Sequence, residues 1–300
     1  SGSLTVIMGP SGCGKTTLLD ALAKRIDGRK KGRKLTGSIT LNGGAMTFSP
    51  AYVQQEDALT GILTVSETLE FAASLAGEPS ERVEELIREF GLESARDTRV
   101  GTIFQKGISG GQKRRLSIAF ERVSRPRVVL LDEPTSGLDS ASALAVVHQL
   151  KKIATASDEC KGCDRVAIAC TLHQPSNAVW DLLDNVCFLA KGKLVYFGKT
   201  GPPLFEFLVD VPQYVNVADH VLSLINEDFP GHADVDEMVA KFASQTSFEK
   251  SSILPSDSAV VDVSVVHEDG RKRAPVFNRL LTLCARGAKE ILRDVGIVVV

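Results

Sequence analysis

The sequence predicts an α/β fold: a mostly parallel sheet, a helical segment inserted between its strands, and small antiparallel elements. Three observations lead there. Short apolar runs alternate with amphipathic stretches, which is the pattern of consecutive βα units. The first run, Leu4–Met8, passes straight into Gly9-Pro10-Ser11-Gly12-Cys13-Gly14-Lys15-Thr16, a full match to the phosphate-binding pattern GxxxxGK[ST] between a strand and a helix. A later run, 128–131, closes on Asp132-Glu133. At 43% hydrophobic and 24% charged residues, the 300-residue chain has ample material for a core. Its net charge of −2 supplies no basic field, so no nucleic-acid partner is expected. Six cysteines without disulfide-framework spacing read as reduced thiols.

The elements follow in order. Leu4–Met8 is a buried parallel strand, and 15–25 reads as a helix with Leu18, Leu19 and Leu22 on one face. Residues 38–42 alternate as a strand up to the turn signal Asn42-Gly43-Gly44, and 46–53 supplies another strand. Thr64-Val65-Ser66-Glu67 has capping-box form and starts a helix. Ser80 is set to cap the next, whose Val83, Leu86, Ile87 and Phe90 make one apolar stripe before Gly91 stops it. Residues 112–123 are again helical. Strand and helix then alternate through 128–131, 141–154, 166–172, 179–183, 186–189 and 194–197.

The chemistry of the motifs is specific. In the phosphate loop Gly9, Gly12 and Gly14 allow torsions that aim successive N–H groups at one point, and Pro10, Ser11 and Cys13 complete the loop. The helix N-terminus, from Lys15 through Thr16 and Thr17, adds its positive dipole end. Lys15 supplies a point charge to phosphate oxygens, and the Thr16 hydroxyl is a ligand for Mg²⁺. Asp132 closes a strand expected to lie beside Leu4–Met8, which puts its carboxylate near the same metal. Glu133, pointing elsewhere, suits a base that polarises the attacking water. Ser109-Gly110-Gly111-Gln112 precedes a helix and forms a second N-terminus suited to an anion, or simply a turn with a serine cap.

Together these segments resemble the ATP-binding cassette of ABC transporters. The resemblance implies that the Ser109–Gln112 stretch meets the γ-phosphate of ATP held by a partner cassette. It implies further that Gln55, in Tyr52-Val53-Gln54-Gln55-Glu56-Asp57, is a metal-sensing glutamine, with Gln54 its rival if the register slips by one. Asp139, in Ser136-Gly137-Leu138-Asp139, is similar to the loop that crosses the dimer interface, and His173 to a switch histidine on the γ-phosphate. Narrower matches are similar to the white-type, or G, subfamily: His173-Gln174-Pro175-Ser176, Leu63-Thr64-Val65-Ser66-Glu67-Thr68-Leu69, Asp97-Thr98-Arg99-Val100-Gly101, Pro212-Gln213-Tyr214 and Asn216-Val217-Ala218-Asp219. Ala285-Arg286 and Leu292-Arg293-Asp294 resemble its connecting helix before the first membrane span.

The implied organisation is an ATPase core over 1–200 with a helical insertion over 58–125, a helical extension over 201–243, and a linker with connecting helix over 244–300. The implied activity is MgATP binding and hydrolysis. Head-to-tail closure of two cassettes, as a homo- or heterodimer, would then drive a lipophilic substrate across a membrane. A transmembrane domain in the same full-length chain and a cytoplasmic-side cassette follow from the same resemblance. The chain opens at the strand feeding the phosphate loop and stops within Ile297-Val298-Val299-Val300, so both ends read as cut. A soluble ABC ATPase shares the nucleotide site, but the paired cassettes or long coiled coils of such proteins are not visible here. An inactive truncated cassette is the other alternative.

Two features stand outside this scheme. Cys160-Lys161-Gly162-Cys163 has metal-ligand spacing without a second close pair, and the basic run 24–34 reads as a solvated loop. Cys13, among the amide donors of the phosphate loop, is expected to have a lowered pKa. Alkylating Cys13 is expected to block nucleotide binding, and retained binding after verified modification would contradict this.

Overall fold

The computed structural model describes residues 3–26, 37, 39–41, 44–46, 48–102, 104–155, 166–208, 215–246, 278–279 and 282–286. The Cys160 and Cys163 pair, most of the basic run, the Pro212-Gln213-Tyr214 segment, most of the linker and the Leu292-Arg293-Asp294 stretch lie outside the described residues. In chain order the elements are Leu4–Met8 (β1), Lys15–Leu22 (α1), Thr40–Leu41 (β2), Gly44–Ala45 (β3), Ala51–Val53 (β4), Val65–Ala76 (α2), Glu81–Glu89 (α3), Gly110–Arg122 (α4) and Val128–Leu131 (β5). There follow Ser140–Thr155 (α5), Ala167–Thr171 (β6), Asn177–Trp180 (α6), Asn185–Ala190 (β7), Lys193–Lys199 (β8), Pro202–Leu208 (α7), Val217–Ile225 (α8) and Val235–Thr246 (α9).

Among the described residues one six-stranded sheet runs β4-β5-β6-β1-β7-β8, parallel throughout except for β8, which returns antiparallel along β7. β2 and β3 form a separate antiparallel pair. One expectation is corrected here. The strand that ends at Asp132 is not a neighbour of β1, because β6 lies between them, pairing Leu4 with Ile168 on one side and Val128 with Ala167 on the other. The β5–α5–β6 crossover sets β6 directly against β5, as short parallel connections do. Phosphate loop and acidic turn are therefore separated by two strand spacings, about 10 Å, and meet only through side chains.

Alternation along the strands divides the core. Leu4, Val6 and Met8 of β1 face one side with Val129 and Leu131, against α2, α3, α4 and α5. Ile7 and Leu130 face the other, packed with Leu19 and Ala23 of the α1 segment and with Cys13, Cys187 and Leu189. Beyond β8, Tyr196 meets Phe207 and Phe242 at ring-centroid distances of 5.1 and 5.6 Å, which docks α7 and α9 on the sheet edge. Among the described residues no helix is long and apolar enough to cross a membrane.

Local signals acted unevenly. The Thr64 box forms in full, with the hydroxyl accepting from Glu67 N–H and the Glu67 carboxylate accepting from Thr64 N–H. The stripe Val83, Leu86, Ile87 and Phe90 is buried, and the Gly91 N–H closes on Arg88 O. Ser80 does not cap α3, because its own backbone is helical at φ −61° and ψ −30°, and a capping hydroxyl needs an extended residue to reach the turn. α1 stops at Leu22 rather than at 25, and Lys24 takes a φ of 56°. α6 begins earlier than the periodicity indicates, with the Ser176 hydroxyl accepting from Val179 N–H.

Burial pushes the Cys170 thiol on β6 and the Cys187 thiol on β7 up to about 12 from an ordinary 9.0. The unfolded chain therefore loses these protons near pH 9 while the folded chain keeps them, so the unfolded state binds fewer protons and stability falls as pH rises. Urea melts between pH 8 and 11 should show this decline, and it should flatten in a Cys170→Ala, Cys187→Ala chain.

Candidate functional site

The predicted residues gather at the C-terminal edge of the parallel strands, where α/β sheets present their ligand crevices. The phosphate loop packs tightly on the sheet. A Cβ on Gly9 would stand 2.1 Å from Leu189 O and 2.6 Å from Cys13 Sγ, so only glycine fits. Gly14 caps α1 from a left-handed conformation at φ 104°, which turns the chain abruptly into the helix. Lys15 is buried, and its ammonium donates to Gly9 O at 2.8 Å and Pro10 O at 3.0 Å. Thr16 Oγ1 donates to Asp132 Oδ1 at 3.3 Å, closing the two-strand gap.

Asp132, 5% exposed, and Glu133 diverge as expected. Glu133 adopts φ 44°, uncommon for a residue with a side chain and costing of order 1–3 kcal/mol. From there its Oε2 accepts from Gln55 Nε2 at 2.9 Å. Gln55, rather than Gln54, thus turns towards the acidic pair. Lys15, Thr16, Gln55, Asp132 and Glu133 form one group. His173 follows β6 at the same edge and is exposed, beside Gln174 at φ 46°.

Ser109, Gly110, Gly111, Gln112 and Asp139 form a second group. Ser109 and Gln112 build a reciprocal capping box at the start of α4, with bonds of 2.9 and 3.2 Å. A Cβ on Gly111 would meet Ser142 at 3.1 Å, so this turn lies hard against the start of α5. Asp139 caps α5, accepting from Ala141 N–H, Ser142 N–H and the Ser142 hydroxyl. These bonds, the Ser142 hydroxyl foremost, hold its carboxyl below the ordinary carboxylate value.

Two residues emerge here that sequence reasoning did not single out. Arg114, 4% exposed, joins both groups. Its guanidinium donates to Gln54 O (2.6 Å), Gln55 O (3.2 Å), Asp57 Oδ1 (3.1 Å), Asp132 O (2.7 Å) and Pro134 O (3.2 Å). Its sequence signal was a basic residue on the apolar face of α4. Thr171, wholly buried at the end of β6, donates to Asp132 Oδ1 and accepts from Glu133 N–H, both at 2.7 Å. Its signal was a hydroxyl inside a strand.

The expectation for Cys13 is corrected. Burial among Ile7, Leu19 and Leu189 raises the thiol, outweighing the neighbouring Lys15 charge and the backbone amides of Lys15 and Cys13. Burial, followed by the Asp132 and Asp20 carboxylates, likewise pushes the Tyr52 phenol up, opposed by the Arg25 guanidinium 4.3 Å over its ring. The site chemistry fits a magnesium polyphosphate: hard hydroxyl and carboxylate oxygens at Thr16 and Asp132 adjoin an amide-lined loop and an ammonium.

Arg114→Met should cost about 3–5 kcal/mol by leaving buried oxygens without donors. A thermal melt measures this, and an unshifted midpoint would show that the five bonds contribute little.

Comparison with known proteins agrees with this geometry. The ABC transporter family matches residues 1–136. ABC transporter G family member 11 of Arabidopsis thaliana is 43% identical, over 76% of this chain and 33% of its own length. G family member 22 of Dictyostelium discoideum is 33% identical over 98% of this chain and 49% of its own. G family member 1 of Petunia hybrida is 41% identical over 98% and 48%. The chain thus spans less than half the length of each of these relatives. A mostly parallel sheet, a phosphate loop joined to an acidic turn, and relatives of one kind over nearly the whole sequence make this chain a member of the ABC transporter family, of the G type.

Proposed function

We propose that this chain is the ATP-binding and ATP-hydrolysing cassette of a G-type transporter, working as one of two cassettes that close head-to-tail. The observation that carries this reading is the convergence of Thr16, Asp132, Gln55 and Glu133 from three separate segments, through bonds of 3.3 and 2.9 Å. Gly9, Pro10, Ser11, Gly12, Cys13 and Gly14 cradle the phosphates, and Lys15, Thr16 and Thr17 open the helix beneath them. Thr16 and Asp132, with Gln55, would hold Mg²⁺, which when bound would supply neutralisation of the phosphate charge.

Glu133 orients the attacking water and draws off its proton, and His173 steadies the γ-phosphate from the loop after β6. Ser109, Gly110, Gly111 and Gln112 present their helix N-terminus to the nucleotide of a second cassette, and Asp139 lies at the interface between the two. Closure around two MgATP supplies the stroke, and hydrolysis reopens the pair. A transmembrane domain in the same full-length chain would carry a lipophilic cargo, with this cassette on the cytoplasmic side. Residues 1–200 act as the ATPase core with 58–125 as its helical insertion, 201–243 as a helical extension, and 244–300 as the connection towards the membrane.

Glu133→Gln should keep ATP binding, slow hydrolysis about 10²–10⁴-fold and accumulate a dimer in saturating MgATP. Lys15→Ala should lose binding itself. Nucleotide titration, phosphate release and size-exclusion chromatography check these outcomes. A Glu133→Gln chain that hydrolyses ATP at the unmodified rate would refute the assignment.

A further inference from the structure

We infer that Thr171 is a positioning residue for hydrolysis, setting the metal carboxylate and the water-activating carboxylate with a single hydroxyl. The inference rests on the proposed ATPase reading and goes beyond it, since Thr171 has no role in the motifs that define the site. Thr171 ends β6, the strand that separates the phosphate-loop strand from the acidic strand. Its side chain therefore fills the gap across which Thr16 and Asp132 must meet.

A threonine hydroxyl has one hydrogen to give, and here it goes to Asp132 Oδ1, the oxygen that also accepts from Thr16. Its oxygen in turn accepts the Glu133 N–H. Both bonds are 2.7 Å, the short end for an N–H donor and an ordinary length for a hydroxyl donor. The first fixes the rotamer of Asp132. The second pins the amide of a residue whose left-handed φ of 44° persists only where its surroundings over-determine it. Asp132 N–H is held by Val53 O at 2.9 Å, Asp132 O by Arg114 and Glu133 O by the Ser136 N–H, and Thr171 adds the bond to the Glu133 amide. A sheet interior needs no hydroxyl for packing: the neighbours Cys170 and Leu172 are also buried. Valine has the same branched shape and would fill the same space, so the hydroxyl is separable from the packing.

The test compares Thr171→Val, Thr171→Ser and the unmodified chain in two independent readouts. Hydrogen exchange at the Glu133 amide should accelerate about tenfold or more in Thr171→Val and return in Thr171→Ser. In ATP hydrolysis, Thr171→Val should lower kcat about 10- to 100-fold and raise the Mg²⁺ needed for half-maximal rate. Affinity for ATP measured without Mg²⁺ should stay unchanged, and serine should restore the rate. Unchanged Glu133 exchange in Thr171→Val overturns the inference, as does an unchanged kcat alongside faster exchange. A loss of Mg²⁺-free ATP affinity equal to the loss in rate also overturns it, because that pattern marks general damage. An unmodified chain that neither binds nor hydrolyses ATP refutes the nucleotide reading itself, and the catalytic role of Thr171 with it. The exchange result then reports only on the hydrogen bond.

Discussion

The buried guanidinium of Arg114 donates to backbone oxygens of Gln54, Gln55, Asp132 and Pro134 and to the Asp57 carboxylate, and the site is assembled around that one group. Three segments far apart in sequence end on it: the turn after β4, the turn after β5 and the first turns of α4. Backbone oxygens at strand ends are acceptors that the sheet no longer satisfies, and a fork of five N–H donors is suited to several at once. A lysine would offer a point charge on a flexible stem and could not span the same oxygens. Because α4 begins with Ser109-Gly110-Gly111, the position of that turn is tied to the position of Gln55 and of the acidic pair. A shift at any one of the three is passed to the others through a group with little room to move.

The acidic turn stores strain against this frame. Glu133 at φ 44° and Gln174 at φ 46° are left-handed residues with full side chains, and they follow the adjacent strands β5 and β6. Each begins or continues a loop that carries a predicted catalytic group. Strain of this kind fixes where a side chain points more tightly than a relaxed turn does, at a cost met by the packed sheet beneath. The wholly apolar run of β5 and the interleaved faces of β1 supply that packing.

The helices after β8 are bound into the same scheme. Asn216 caps α8 with its carbonyl oxygen, which accepts from Ala218 N–H at 2.9 Å, and its amide donates to Pro175 O at 2.8 Å. One side chain thus fastens the His173 loop to the helical extension. At the other side, Arg286 donates to Thr60 Oγ1 at 2.7 Å and lies 4.7 Å over the Phe71 ring, so the segment 282–286 rests on the region around α2.

Much of this was legible in the sequence because the signals are local. The strand-to-loop-to-helix order at Gly9–Thr16, the Thr64 capping box, the stripe on α3 and the acidic ending of β5 each depend on residues within a turn or a strand of one another. The choice of Gln55 over Gln54 also agrees with the side-chain geometry. Strand order was not legible: β6 separates β1 from β5 because of a crossover connection, which leaves no mark in either strand. Ser80 and Cys13 misled for a related reason, since a capping hydroxyl or a thiol is judged by composition but acts by direction and burial. Arg114 and Thr171 have partners up to 60 residues away, beyond any local pattern. The sequence by itself determined the fold class, the family and the residue types able to hold a phosphate, because these follow from short-range pattern. Only the tertiary structure decided which hydroxyl and which guanidinium hold the site together, because long-range hydrogen bonds exist only once the sheet has brought their ends within 3 Å or so of each other.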